Sequence, residues 1–314
     1  MLTGYYNFNR LRYIHRQLNE SGMFRCVNQE MIPKTACFYG EKINFYIDTS
    51  DGVNEDLKIN EYCGRVLKII EECKGKPFLF FKAAYSFIWS QNIIKLAEGN
   101  NGKVLPFFKW PFNDNFYKNM LGKRQEIVEK MGKVEKEYDI GYFCGLKPYN
   151  YPKPSNTNLL ISWSDHDKFD IPGNSKNTGH YVNKSRKFLY DKIIESRFKV
   201  LYREKMNYFN YIKESYKCKV VLNPPGVGEY TSRMFDQCFI GGTIVLRKTS
   251  YDQGHSWKEY LPEVDFEKED WQSDYQKIID NYEEWGEKAL YYYEKFWTPQ
   301  AIVKFLVEKI EEES

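Results

Sequence analysis

Short apolar runs alternate with helix-period segments along most of this 314-residue chain, and that alternation is the feature that most restricts its fold. Parallel strands need crossover connections, usually helices, so repeated strand–helix–strand order predicts an α/β protein. KINFYID (42–48) reads as a strand ending in the loop DTSDGVN, and 57–73 carries apolar residues at helical spacing. KPFLFFKAAY (76–85) and GKVLPFFKWPF (102–112) read as two further strands, with SFIWSQNIIKLAEG between them as helix or loop. The charged stretch 115–138 is strongly helical and is expected to link two domains, 1–125 and 126–314, each of ordinary size.

A fresh strand, DIGYFCGL (139–146), opens the second half. Residues 147–180 are rich in Pro, Asn, Ser and Gly and read as a long loop or insertion, with NLLISW (158–163) as a strand inside it. Helices are expected over 185–198 and 204–216, then a buried strand CKVVLN (218–223), a helix over 232–240 and a strand GTIVLR (242–247). The helical period returns over 272–289 and from Trp297 to Glu313.

Composition excludes several function classes. Basic and acidic residues nearly balance, 46 against 43, for a net charge of +3, whereas a general nucleic-acid binder shows a clustered basic excess. The seven cysteines form no CxxC pair and no zinc-spaced His cluster, which argues against structural zinc. An odd number of scattered thiols suggests a reducing, cytoplasmic setting. No apolar run approaches the roughly 20 residues of a membrane span, and the N-terminus lacks the apolar stretch of a signal peptide. Aromatics reach 18%, an excess suited both to cores and to surfaces that stack on sugars or bases.

The run NPPGVGEYTSRMFDQCFIGGTIV (223–245) carries the chemistry. A Pro/Gly elbow after a buried strand lets backbone N–H groups approach a ligand, and a helix N-terminus presents unpaired N–H groups and a positive dipole end. Such places bind phosphate. Gly226, Gly228, Glu229, Tyr230, Thr231 and Ser232 would wrap the anion, and Arg233 adds a planar charge suited to a diphosphate. Asp236, one turn inside, could accept hydrogen bonds from ribose hydroxyls. The bland alternative is an ordinary N-cap at Thr231 or Ser232, a helix stop at Gly241-Gly242 and a surface pair of Arg233 with Asp236.

The same run, S-R-x-x-D-x-x-x-x-G-x-T-I-V-L from Ser232 to Leu246, resembles the nucleotide-sugar motif of exostosin-like glycosyltransferases. FLFFKAAYSF with KVLPFF is similar to that family's N-terminal-domain pattern, and WTP followed by a helix resembles the closing helix of two-domain GT-B transferases. The resemblance implies two Rossmann-like domains facing a cleft, a C-terminal helix crossing back to the first domain, a nucleoside diphosphate sugar such as a UDP-sugar as donor, and a glycan hydroxyl as acceptor for hexosyl or pentosyl transfer. It implies no required cofactor, a divalent metal being dispensable. The family prefers Glu where this chain has Asp236; a shifted register would align Glu229 and Gln237 with the two glutamates of retaining enzymes, and the stereochemical outcome stays open. The lack of a leader or anchor differs from animal exostosins of the Golgi membrane and fits a microbial or viral member.

In such a two-domain arrangement the donor side would include Gly145, after DIGYFCG, and the helix start at Asn183–Lys187, with Arg186 as a second diphosphate ligand. Arg247 and Lys248 point to the same edge. On the acceptor side Asp51, or next to it Asp48, would act as general base in an inverting transfer. Lys82 would meet the diphosphate or a charged acceptor across the cleft. Tyr85, Trp89, Trp110 and Tyr230 are candidate sugar or base platforms. Two rival readings remain. Asp165-x-Asp167 could hold a divalent ion in a metal-dependent GT-A transferase, although metal ligation is not the preferred reading. The chain could also be a non-catalytic binder of nucleotide or glycan.

Overall fold

Where short apolar runs alternate with helix-period segments, the computed structural model lays the runs into two β-sheets. It describes residues 2–6, 13–28, 35–48, 70–71, 75–83, 91–107, 120–146, 178–204, 206–224, 232–248 and 257–313. Among these the architecture is mixed α/β, with parallel strand pairs in both sheets.

The first sheet contains β1 (Leu2–Tyr6), β2 (Phe24–Asn28), β3 (Thr35–Tyr39), β4 (Asn44–Asp48), β5 (Phe78–Ala83) and β6 (Gly102–Phe107), in the order β2-β1-β3-β4-β5-β6. Only β3 runs against its neighbours β1 and β4; the other pairs are parallel. A hairpin, closed by Gly40 N–H donating to Asn44 Oδ1 at 3.1 Å, sets this one antiparallel strand inside an otherwise parallel sheet. Phe38 and Phe45 lie opposite each other in that pair and stack at 4.5 Å, with Phe24 edge-on to both. Helix α1 (His15–Glu20) joins β1 to β2, and α2 (Gln91–Glu98) joins β5 to β6.

Helix α3 (Arg124–Lys133) leads to the second sheet, built of β7 (Tyr138–Phe143), β8 (Val200–Arg203), β9 (Cys218–Leu222), β10 (Thr243–Arg247) and β11 (Glu263–Val264). Its order is β11-β10-β9-β7-β8 and every pair is parallel. Between the strands run α4 (Thr178–Ile194), α5 (Tyr208–Ser215) and α6 (Ser232–Ile240), followed after β11 by α7 (Trp271–Asp280) and α8 (Tyr282–Tyr292). Ile140 and Tyr142 face a core shared with Leu189 and Ile193 of α4 and Tyr275 of α7. Phe143 and Val221 face the opposite core, with α5, α6 and α8. Helices thus cover both faces, as a parallel sheet of apolar strands requires.

A π-helical turn, Tyr293–Trp297, ends α8 and delivers α9 (Pro299–Glu313) to the first sheet. Phe305 of α9 meets Phe81 and Phe107 at 6.3 Å each, and Lys103 pairs with Glu313. The Tyr13 hydroxyl donates to the Trp297 carbonyl at 2.8 Å and lies 2.9 Å from the Tyr293 hydroxyl. The two sheets therefore share one continuous apolar core.

Three strands of the first sheet, β1 to β3, and the short β8 and β11 are additions to the sequence reading. Their runs are too short or too polar to carry a strand signal alone, and they form because a neighbouring ladder accepts them. Helix α4 begins at Thr178, earlier than expected, so Asn183–Lys187 lie within it and not at its start. Residues 57–69 and 147–177, including the expected strand 158–163, lie outside the described residues. Cys37, Cys144, Cys218 and Cys238 are buried thiols outside any disulfide. No helix among the described residues is long and apolar enough to cross a membrane.

Candidate functional site

The second sheet places its chemistry through its topology. From β7 the chain moves outward to β8, then returns across β7 to form β9 on the other side. The carboxyl ends of β7 and β9 therefore diverge into connections on opposite faces, and the crevice between them is where ligands of open α/β sheets bind. Cys144 and Gly145 follow β7; Asn223 and Pro224 follow β9; Arg247 ends β10. Asn223 N–H donates to the Val245 carbonyl at 2.9 Å, which carries the ladder to the rim of the crevice.

Two expected residues come together here. Arg186, 6% exposed, sends Nη1 to the Gly145 carbonyl at 3.3 Å, and its own carbonyl accepts the Tyr142 hydroxyl at 3.0 Å. Arg233 stands in the first turn of α6, half-buried. Burial raises both the Tyr142 hydroxyl and the Cys144 thiol, while the charges of Arg186 and Arg233 act on each in the opposite sense. Arg186 thus lies against the end of β7, and the charge of Arg233 reaches it as well as Tyr211 on the other face of the sheet. No hydrogen bond or ion pair to a described residue engages the Arg233 guanidinium. Gly145 lies beside Arg186, and a Cβ built there meets nothing within 4 Å.

Asp236 departs from its expected role. It is 2% exposed, and burial with its carboxylate raises the hydroxyls of Tyr208 and Tyr211 on α5. Gln237 joins the same cluster, donating Nε2 to the Tyr211 hydroxyl at 2.8 Å. From Met234 to Ile240 every side chain of α6 is buried, so this helix is interior and only its first turn reaches the crevice. In this conformation Asp236 offers no oxygen to a ribose; it braces the helix that carries Arg233.

Arg247, 5% exposed, adds a third guanidinium at the same sheet edge. Lys248 and Lys187 are instead exposed and paired, with Asp265 and Asp191. Ser232 begins α6, whereas Gly226, Gly228, Glu229, Tyr230 and Thr231 lie outside the described residues. On the first sheet, Lys82 is 0% exposed at the end of β5, registered opposite Asp48 of β4. A lysine so enclosed does not reach an open cleft, which corrects the expected cross-cleft contact. Asp51, Tyr85, Trp89, Trp110, Asp165 and Asp167 lie outside the described residues.

Sequence reasoning passed over Tyr142, Tyr208 and Tyr211. Tyr208 and Tyr211 fall three apart in EKMNYFNYIKESY, on one helical face, a spacing that marks a shared neighbour but not which one. Comparison with protein-family models, with curated proteins and with solved structures found no match.

Proposed function

We propose that this chain is a GT-B-type glycosyltransferase that moves a sugar from a nucleoside diphosphate sugar to a glycan hydroxyl. The observation that carries the reading is the Arg233 guanidinium: half-buried, engaged by no described residue, and placed with Arg186 at the crevice where the second sheet changes direction. A cation held there with no ion-pair partner among the described residues is suited to an anion with several charges, and its planar fork matches phosphate oxygens.

In this reading the diphosphate of the donor lies between Arg233, the start of α6 and Arg186. Negative charge grows on the leaving diphosphate as the glycosidic bond breaks, and preset donors stabilise that charge more in the transition state than in the ground state. Gly145 leaves room for the ligand beside β7. The acceptor approaches from the first sheet, where Asp51 is the proposed base. The guanidinium groups and the helix start supply the electrostatic role that a divalent ion takes in other transferases, and a chelator is expected to leave turnover intact.

Calorimetric titration with UDP, GDP, CMP and dTDP tests the reading. One nucleoside diphosphate is expected to bind, and Arg233→Ala to weaken it by about 10- to 100-fold, the range of a lost charge-assisted pair. Thermal stability of that variant should stay near that of the parent, because among the described residues the side chain makes no hydrogen bond or ion pair to lose. Absence of uptake at millimolar nucleotide, or unchanged affinity in Arg233→Ala, overturns the proposal.

A further inference from the structure

A second cavity lies at the opposite end of the second sheet, by the starts of β9 and β10. It encloses about 310 Å³ between α3 and α8. A tight helix stop creates it. Gly241 takes a φ of 74° after α6, and α8 crosses that turn through Gly286, where a Cβ would stand 2.7 Å from the Gly241 carbonyl oxygen. Two glycines at the crossing leave space that side chains would otherwise fill.

The walls combine three kinds of surface. Val128 and Met131 of α3 face Leu290 of α8 as apolar sides. Lys136 supplies a partly buried ammonium whose Nζ donates to the Met131 carbonyl at 3.2 Å and the Tyr216 carbonyl at 2.9 Å. Among the described residues no carboxylate lies within ion-pair distance of it; burial lowers its pKa, and the charge of Glu283 at the rim acts in the opposite sense. Such an ammonium gains from an incoming anion. At the rim, Glu283 and Glu287 stand one turn apart on α8, both exposed.

We propose that this cavity binds a small amphipathic zwitterion, an α-amino acid with a branched aliphatic side chain. Its carboxylate meets Lys136, its ammonium meets Glu283 and Glu287, and its side chain packs on Met131 and Leu290. The cavity has the size of a small-ligand site, and its charged groups are of both signs, Lys219 being already paired with Asp139, so they select for charge placement as well as shape. The site is remote from the crevice at the carboxyl ends of the strands, and it bridges α3, which connects the two sheets, to α8, which leads to α9.

The test is calorimetry on the full chain with leucine, leucinamide and 4-methylpentanoate. Leucine is expected to bind with a Kd on the order of 1 mM, and loss of either charge to weaken it by about tenfold or more. Lys136→Met should abolish the heat. Gly132→Leu provides a variant that keeps the fold: Gly132 lines the cavity on α3 and a Cβ there meets nothing within 4 Å, so a larger side chain fills the space from outside the core. It should unfold at a temperature no lower than the parent and no longer take up leucine. No heat from leucine at about 10 mM, equal binding of all three probes, or uptake by folded Gly132→Leu would each overturn the proposal.

Discussion

Arg233 and Asp236 sit three residues apart on one helix, yet the structure gives them opposite environments. Arg233 reaches the crevice; Asp236 is enclosed among tyrosines. The difference lies in which neighbour each turn of α6 meets, a property invisible in the residue types. Gly145 gives a sharp test at this scale. Because a Cβ there enters open space, Gly145→Val should leave the melting temperature close to the parent value while plugging the crevice. Nucleoside diphosphate affinity is then expected to fall about tenfold or more, measured by titration calorimetry. Undiminished binding would move the ligand away from β7.

Elements meet most closely where glycine permits it. Helix α8 lies against the stop of α6, with the Thr243 hydroxyl donating to the Tyr282 carbonyl at 2.5 Å and Gly286 against Gly241. Gly286→Ala would gain helix propensity of up to about 1 kcal/mol. It would also press a methyl group to 2.7 Å from a backbone oxygen, which cannot rotate away. Overpacking costs about 1–3 kcal/mol, so the net expectation is destabilisation, read as a lower denaturant midpoint. The helix period predicted α6 from the sequence, and a single segment over 272–289 that the structure divides at Asn281 into α7 and α8; Gly241-Gly242 predicted the stop. The contact at Gly286 was not legible, because nothing in the sequence of one helix names the turn that another will cross.

On the scale of the molecule, the junction between the sheets is a buried aromatic cluster. Phe235 of α6 packs on Tyr13, Tyr293 and Trp297 at 5.8, 5.3 and 5.3 Å, and Arg124 lies over the Tyr293 ring at 4.5 Å while donating Nε to the Phe239 carbonyl at 2.9 Å. Tyr13→Phe keeps the ring and removes the hydroxyl that bonds across the junction. It should lower unfolding free energy by about 1–2 kcal/mol, measured by urea titration. The same buried hydroxyls set the response to alkali. Burial raises Tyr13, Tyr142, Tyr211, Tyr275 and Tyr293 above the ordinary phenol value. A raised folded pKa means the contribution is complete below the unfolded value of about 10 and is lost as pH climbs past it. Tyrosinate absorbance from these rings should therefore appear together with loss of far-ultraviolet circular dichroism above about pH 10, and ionisation ahead of unfolding would contradict the burial described.

The amino-acid sequence alone determined the α/β class, the strands β4 to β7, β9 and β10, and the helix α6 between the last two. Those signals are local: apolar period, proline–glycine elbows and helix stops act within one or two turns of chain. Tertiary structure alone decided that β3 runs antiparallel, that Asp236 and Lys82 are enclosed, that the charges of Arg186 and Arg233 both reach the end of β7, and that a charged cavity opens behind Gly286. Each of these depends on contacts between residues distant in the chain, where burial and charge are set by whatever the fold brings alongside and not by the neighbours in sequence.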